Sequence, residues 1–125
     1  MSVTIEDPQG AITRYLGDVT EGAIIATLFE IDGRLRVLTP VDTGTARNSW
    51  LVTMNRDDEG TLGANPAGGE ALDYRIGQIA YINNGVRYIG ALDRGHSQQA
   101  PGGMTDVVIP QIPRILEQEV TKRAK

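Results

Sequence analysis

From about Gly10 to Leu38 the apolar positions recur at helical spacing. Ile24, Leu28, Ile31, Leu35 and Leu38 step by four, three, four and three residues, which lines them along one helix face. Gly17, Gly22 and Gly33 each cost a helix interior roughly 0.5–1 kcal/mol relative to alanine, so a break is expected near Gly17 or at Asp32-Gly33. Pro40 ends the helix, because the residue before a proline is pushed out of the helical region. Residues 1–9, ahead of this pattern, read as a flexible arm.

Thr39-Pro-Val-Asp-Thr-Gly44 reads as a rigid turn: proline fixes one dihedral, Asp42 and Thr43 can bond neighbouring amides, and Gly44 tolerates positive φ. The period then switches to two. From Ala46 to Met54 a strand is expected, with Trp50, Val52 and Met54 on one face, Leu51 and Thr53 on the other, and Trp50 as a core anchor. Residues 55–71 are rich in Gly, Asp, Glu, Asn and Pro and carry no periodicity. They read as a long exposed, mobile loop, and a loop of that length in a small domain points to a partner.

A second strand is expected over Ile76–Asn83, closed by a turn at Asn83-Asn84-Gly85. Tyr88, Ile89 and Leu92 have the spacing of one helical turn, closed by Gly95. Near the end, Val107-Val108-Ile109 is β-branched and is followed by Pro110 and Pro113. Ile112, Ile115, Leu116, Glu119 and Val120 are then helical in spacing, with Lys122, Arg123 and Lys125 at the end favoured by the helix dipole.

A chain of 125 residues suits one domain, 1–125, and its 40% hydrophobic and 22% charged residues are ordinary for a globular fold. The net charge of −4 provides no basic field to hold nucleic acid, although an acidic surface can face DNA without gripping it. The absence of cysteine removes disulfides, thiolate metal sites and cysteine nucleophiles, in keeping with a reducing cytoplasm. Residues 1–8 have neither a basic nor an apolar region of a signal peptide, and no window reaches the apolar length of a membrane span. A soluble chain without an export signal is the expectation.

Candidate chemistry is sparse. Asp42-Thr43-Gly44 spells the tripeptide of aspartic proteases, in which two such aspartates share a proton and activate water, and the length would suit a homodimeric enzyme of that type. That chemistry needs the tripeptide at the end of an apolar strand, whereas here a helix and Thr39-Pro40 precede it, so a turn is the better reading and a homodimeric aspartic hydrolase the alternative. His96 and Ser97 are adjacent, which rarely lets a base face its nucleophile, and no third group orients the imidazole. Glu30, Asp32, Asp57, Asp58, Glu59, Glu70 and Asp73 lack the spacing of a calcium loop and read as solvated surface. The glycines of residues 85–90 lack the strand, turn and helix order of a dinucleotide site. No cofactor and no metal are expected.

Two motifs carry a resemblance. Thr39-Pro-Val-Asp-Thr-Gly-Thr-Ala-Arg-Asn-Ser-Trp50 and Asn83-Asn-Gly-Val-Arg-Tyr-Ile-Gly-Ala-Leu-Asp-Arg-Gly-His-Ser-Gln-Gln-Ala-Pro-Gly-Gly-Met104 resemble bacteriophage neck and minor tail proteins, also described as tail completion or head-tail joining proteins. The motifs stand in that family's order, flank its variable loop and follow a similar helix. The resemblance implies an α+β fold: a long N-terminal helix packed on a small, mainly antiparallel β-sheet, with a C-terminal helix. It implies a structural virion protein without enzymatic activity, made in the bacterial host cytoplasm. Such a protein forms a homo-oligomeric ring, most often a hexamer, that joins the portal and adaptor complex to the tail tube or tail terminator and lets genomic DNA pass. Pro110 and Pro113 depart from the family pattern, as does Asp93, where relatives often carry glutamate.

A ring built from heterologous contacts needs two different complementary surfaces on each subunit. Arg87, Tyr88, Asp93, His96, Ser97, Gln98 and Gln99 are expected to hydrogen-bond across or beside such a contact, while Asp93, His96 and Ser97 could equally stabilise their own loop. Asp42 and Arg47 are expected to pair across the Gly44 turn, worth about 0.2–1 kcal/mol for a surface pair.

Overall fold

The computed structural model describes residues 11–40, 44–58, 60, 62–87, 89–90 and 102–124, with side chains from residue 17 onward. The fold is α+β: a long N-terminal helix, a two-stranded antiparallel sheet and a C-terminal helical region pack together. The elements in order are α1 (Ala11–Leu38), β1 (Trp50–Met54), β2 (Ala80–Asn84), α2 (Thr105–Val108) and α3 (Ile112–Arg123), with 3-10 turns at Arg47–Ser49, Ala71–Asp73 and Ile109–Gln111. The arm, residues 1–9, lies outside the described residues.

Helix α1 runs without a break for 28 residues, through Gly17, Gly22 and Gly33. Packing outweighs the glycine cost. Leu28, Ile31 and Leu35 are buried along its inner face, with Ile24 and Leu38 beside them, as the spacing requires. At Gly22 the absence of a side chain lets Arg123 of α3 lie against the helix, where a Cβ would sit 2.9 Å from Nε.

Two apolar clusters share that face. One gathers Ile31, Leu35, Trp50, Met104 and Val108, and the other Leu28, Val52, Met54, Ala71 and Tyr74. Trp50 is the anchor expected of it: it is buried, and its Nε1 donates to the Thr39 hydroxyl at 2.8 Å.

The strand boundaries differ from the sequence reading at both starts. Residues Arg47–Ser49 form a 3-10 turn, so β1 begins at Trp50, and β2 begins at Ala80 because a turn occupies residues 76–77. Trp50 pairs with Asn84, Val52 with Ile82 and Met54 with Ala80. The β-branched Val107-Val108-Ile109 is helical, and α2, the 3-10 turn and α3 follow one another directly. Pro110 and Pro113 fall in the first turns of their helical pieces, where no intrahelical N–H is lost.

Candidate interface

The two sequence motifs meet at one corner of the domain. The first carries the chain from α1 to β1. There the Thr39 amide and hydroxyl both donate to the Leu35 carbonyl, at 3.0 and 2.6 Å, and close the helix. Arg47 turns back onto the same end: Nη2 donates to the Thr39 carbonyl at 3.1 Å and the Val37 carbonyl at 3.3 Å, and Nε to Thr39 at 3.3 Å. A cation on the last carbonyls of a 28-residue helix also meets the negative end of its dipole. The second motif begins at the end of β2, where Asn84 stands opposite Trp50, its Nδ2 donating to the Ala46 carbonyl at 2.8 Å and its Oδ1 accepting the Val86 amide at 3.0 Å. Trp50, Ile82, Asn83, Asn84, Ile89 and Gly90 enclose a cleft of about 170 Å3 between the motifs.

Of the residues expected at an interface, Arg47 therefore has a structural role as a helix cap. Arg87 is exposed, and among the described residues it has no hydrogen-bonded or ionic partner. Asp42, Tyr88, Asp93, His96, Ser97, Gln98 and Gln99 lie outside the described residues, as does the expected Asp42–Arg47 pair. Gly44, the third residue of the Asp-Thr-Gly tripeptide, does adopt positive φ, at 81°, and its carbonyl accepts the Asn48 amide at 3.0 Å.

The segment after β1 behaves differently from its sequence reading. Its tip is exposed, but residues 63–71 are bound to the domain. Gly63 N–H donates to Ser49 Oγ at 2.7 Å, and Asn65, itself buried, donates from its amide to the Asn48 carbonyl and from Nδ2 to the Ser49 carbonyl. Glu70 N–H donates to the Val52 carbonyl at 2.9 Å, and the Met54 N–H donates to Glu70 Oε1 at 2.9 Å. The segment thus satisfies the edge of β1 that β2 does not.

It also covers the outer sheet face. Thr53 Oγ1 donates to the Arg56 carbonyl, Asn83 Nδ2 to Asp57 Oδ1, and Gly60 lies directly on Leu51.

Two carboxylates read as solvated surface are fasteners instead. Asp32 is 1% exposed, and its Oδ2 accepts from Arg36 Nε and from the Gly68 N–H, both at 2.9 Å. Arg36 extends from there to donate to the carbonyls of Trp50 at 2.6 Å, Asn65 at 3.1 Å and Pro66 at 3.2 Å. One ion pair on α1 therefore ties down both β1 and the segment beside it. Glu70 forms the second fastener, accepting two hydrogen bonds from Arg56 at 2.9 and 2.6 Å. Those bonds, with the Met54 N–H, hold the Glu70 carboxyl below the usual glutamate range. Asp58 is likewise held low, first by the Gly60 N–H and then by Arg56. A spacing rule could have flagged only Asp32 and Arg36, an i, i+4 pair; their long-range partners are backbone groups, which no side-chain pattern encodes.

Among the described residues no three His, Asp or Glu side chains are grouped closely enough to hold a metal, and no helix is long and apolar enough to cross a membrane. Comparison with protein-family models, curated proteins and solved structures returns no match.

Proposed function

We propose that this chain is a structural component of the bacteriophage head-tail junction, forming a ring between the portal and adaptor complex and the tail. The observation that carries the reading is the convergence of the two family-like motifs: remote in sequence, they adjoin through Trp50 opposite Asn84 and the Asn84 bond to Ala46. A pair of motifs that build one corner is what a docking surface needs, since a corner fixed by these bonds can present the side chains that the second motif carries onward. The α+β fold is the one the resemblance implies.

Gly44, the last residue of the Asp-Thr-Gly tripeptide, lies in a bend ahead of the 3-10 turn at Arg47–Ser49 and not at a strand end, which favours a structural role over aspartic catalysis. The net charge of −4 suits a passage through which DNA slides without adhering. The ring would contact neck and tail proteins above and below.

Electron microscopy tests the reading. Rings of the purified protein, together with density for this chain at the neck of virions, are expected; virions that lack the chain and assemble normally would refute it.

A further inference from the structure

Asn84-Gly85 is the one Asn-Gly pair among the five asparagines of the sequence, and it stands where β2 ends and the second motif continues. Glycine carries no Cβ to hold its amide nitrogen off the side chain before it. Just beyond β1, the Asn55 N–H bonds the Ile79 carbonyl, which fixes the ladder phase: Asn83 bonds Leu51, while the pair of Asn84 with Trp50 is not hydrogen-bonded. The ladder therefore stops at Asn83, and among the described residues nothing accepts the Gly85 N–H.

The side-chain amide beside that nitrogen is held and polarised. Asn84 Oδ1 accepts the Val86 N–H at 3.0 Å, so a donor already sits where negative charge gathers when the Cγ carbonyl is attacked. Nδ2 donates to the Ala46 carbonyl at 2.8 Å, and Asn84 and Gly85 are both half-buried, within reach of water.

We propose that Asn84 is a self-modification site, at which the Gly85 nitrogen cyclises onto the side chain and ammonia is released. The Gly85 N–H gives its proton to water or hydroxide, and the nitrogen forms a bond to Asn84 Cγ. Charge develops on Oδ1, facing the Val86 N–H, and collapses as the Cγ–Nδ2 bond breaks; Nδ2 takes a proton from water and leaves as ammonia. Water then opens the cyclic imide at either carbonyl, giving aspartate or isoaspartate at position 84. One water is consumed for each ammonia released, with no oxidant, reductant or co-reactant.

The site matters because of what the amide holds. The Ala46 carbonyl accepts both Asn84 Nδ2 and, at 3.3 Å, the Ser49 N–H. A carboxylate only accepts and repels that carbonyl, so the product loses the side-chain bond between the two motifs. Isoaspartate also lengthens the main chain by a methylene at the end of β2. Conversion is one-way and paced by time and pH, since the attacking nitrogen must first lose its proton. The corner is intact in newly made protein and loosens with age.

The test ages the purified full-length protein under warm, native conditions at neutral pH and maps deamidation by peptide mass spectrometry. Asn84 is expected to convert before Asn48, Asn55, Asn65 and Asn83, with isoaspartate among the products and faster conversion at higher pH. That ranking needs no variant and leaves the virion reading untouched. Gly85→Ala, at a glycine outside the positive-φ set, crowds the nitrogen and should slow conversion roughly tenfold, about 1.4 kcal/mol of added barrier. Amide exchange at Ser49 should quicken in aged protein and in Asn84→Asp, but not in Gly85→Ala aged for the same time. Unchanged circular dichroism would show that both variants are folded. Another asparagine converting first, aspartate without isoaspartate, an equal rate in Gly85→Ala, or unchanged Ser49 exchange after conversion would each overturn the proposal.

Discussion

β1 and β2 are neighbours of equal length, five residues each, and meet very different surroundings. All five residues of β1 are buried, and all five of β2 are only half-buried. Strand propensity does not account for this, since Trp50–Met54 and Ala80–Asn84 each mix apolar with polar side chains. The difference lies in what flanks them. β1 has β2 on one edge, residues 65–70 on the other, α1 beneath and residues 56–58 and Gly60 above, whereas among the described residues β2 has β1 on one edge only. A two-stranded sheet is marginal alone, so the segment that wraps β1 is part of what makes this sheet persist.

The largest test of that contrast is Asp32→Ala. It leaves Arg36 without its ionic partner and the Gly68 N–H without an acceptor, both at the seam between α1 and the segment over β1. Breaking a buried pair from one side costs about 3–5 kcal/mol, so urea denaturation should show a loss of that size. Amide exchange should also accelerate first at Glu70, whose N–H caps the β1 edge, and only later at Tyr81. A loss under about 1 kcal/mol would mean that the segment holds its place without this hub.

Gly69→Ala and Gly77→Ala sharpen the comparison, because both place a Cβ at positive φ, 47° and 94°, and only one meets a wall. A Cβ at Gly69 collides with the Val52 backbone of β1; at Gly77, in the turn leading to β2, nothing lies within 4 Å. Gly77→Ala is expected to cost the ~1–2 kcal/mol of left-handed backbone alone. Gly69→Ala should cost clearly more in the same denaturation experiment, and equal losses would remove the close approach from the account.

Much of this was legible in the sequence. The step of four, three, four and three in α1 marked the buried face, and Trp50 stood out as the strand anchor. What could not be read was the seam. Asp32 is one carboxylate among charged neighbours on a helix, and only its distant partner, the Gly68 amide, reveals it as buried. Residues 63–71 bind through backbone amides at irregular intervals, so no period signals them. The uninterrupted run of α1 through Gly33 is similar: a local cost of about 1 kcal/mol was visible, and the apolar packing that outweighs it was not.

A smaller effect is expected at the corner where the motifs meet. Trp50→Phe keeps the ring in the core but removes the 2.8 Å bond to Thr39 Oγ1, whose hydroxyl still donates to Leu35. The loss should be about 1 kcal/mol by thermal or urea unfolding, the usual net worth of one neutral hydrogen bond. A neutral outcome would show that the Thr39 bond adds nothing to the packing and the Arg36 bond that join β1 to the end of α1.

The least costly fastener is also the one that pH can address. The Glu70 carboxyl is held below its ordinary range, first by Arg56 and then by the Met54 N–H, so its ionised form is favoured in the folded chain relative to the unfolded one. Its contribution is therefore present above the unfolded value of about 4.3 and is lost as pH falls through the lower folded value. Asp58, held low by the Gly60 N–H, acts in the same direction near the ordinary aspartate value of about 3.9. Glu70→Gln retains an acceptor for Met54 and removes only the charge. Between roughly pH 5 and 3 the urea midpoint of wild type should fall more steeply than that of the variant. Because Arg56 is exposed, added salt should narrow the gap at pH 7 while leaving the Asp32 hub, which is buried, nearly unaffected. Parallel pH profiles for the two proteins would show that the Arg56 clasp restrains nothing, and that β1 owes its covered edge to Asp32 and the backbone bonds.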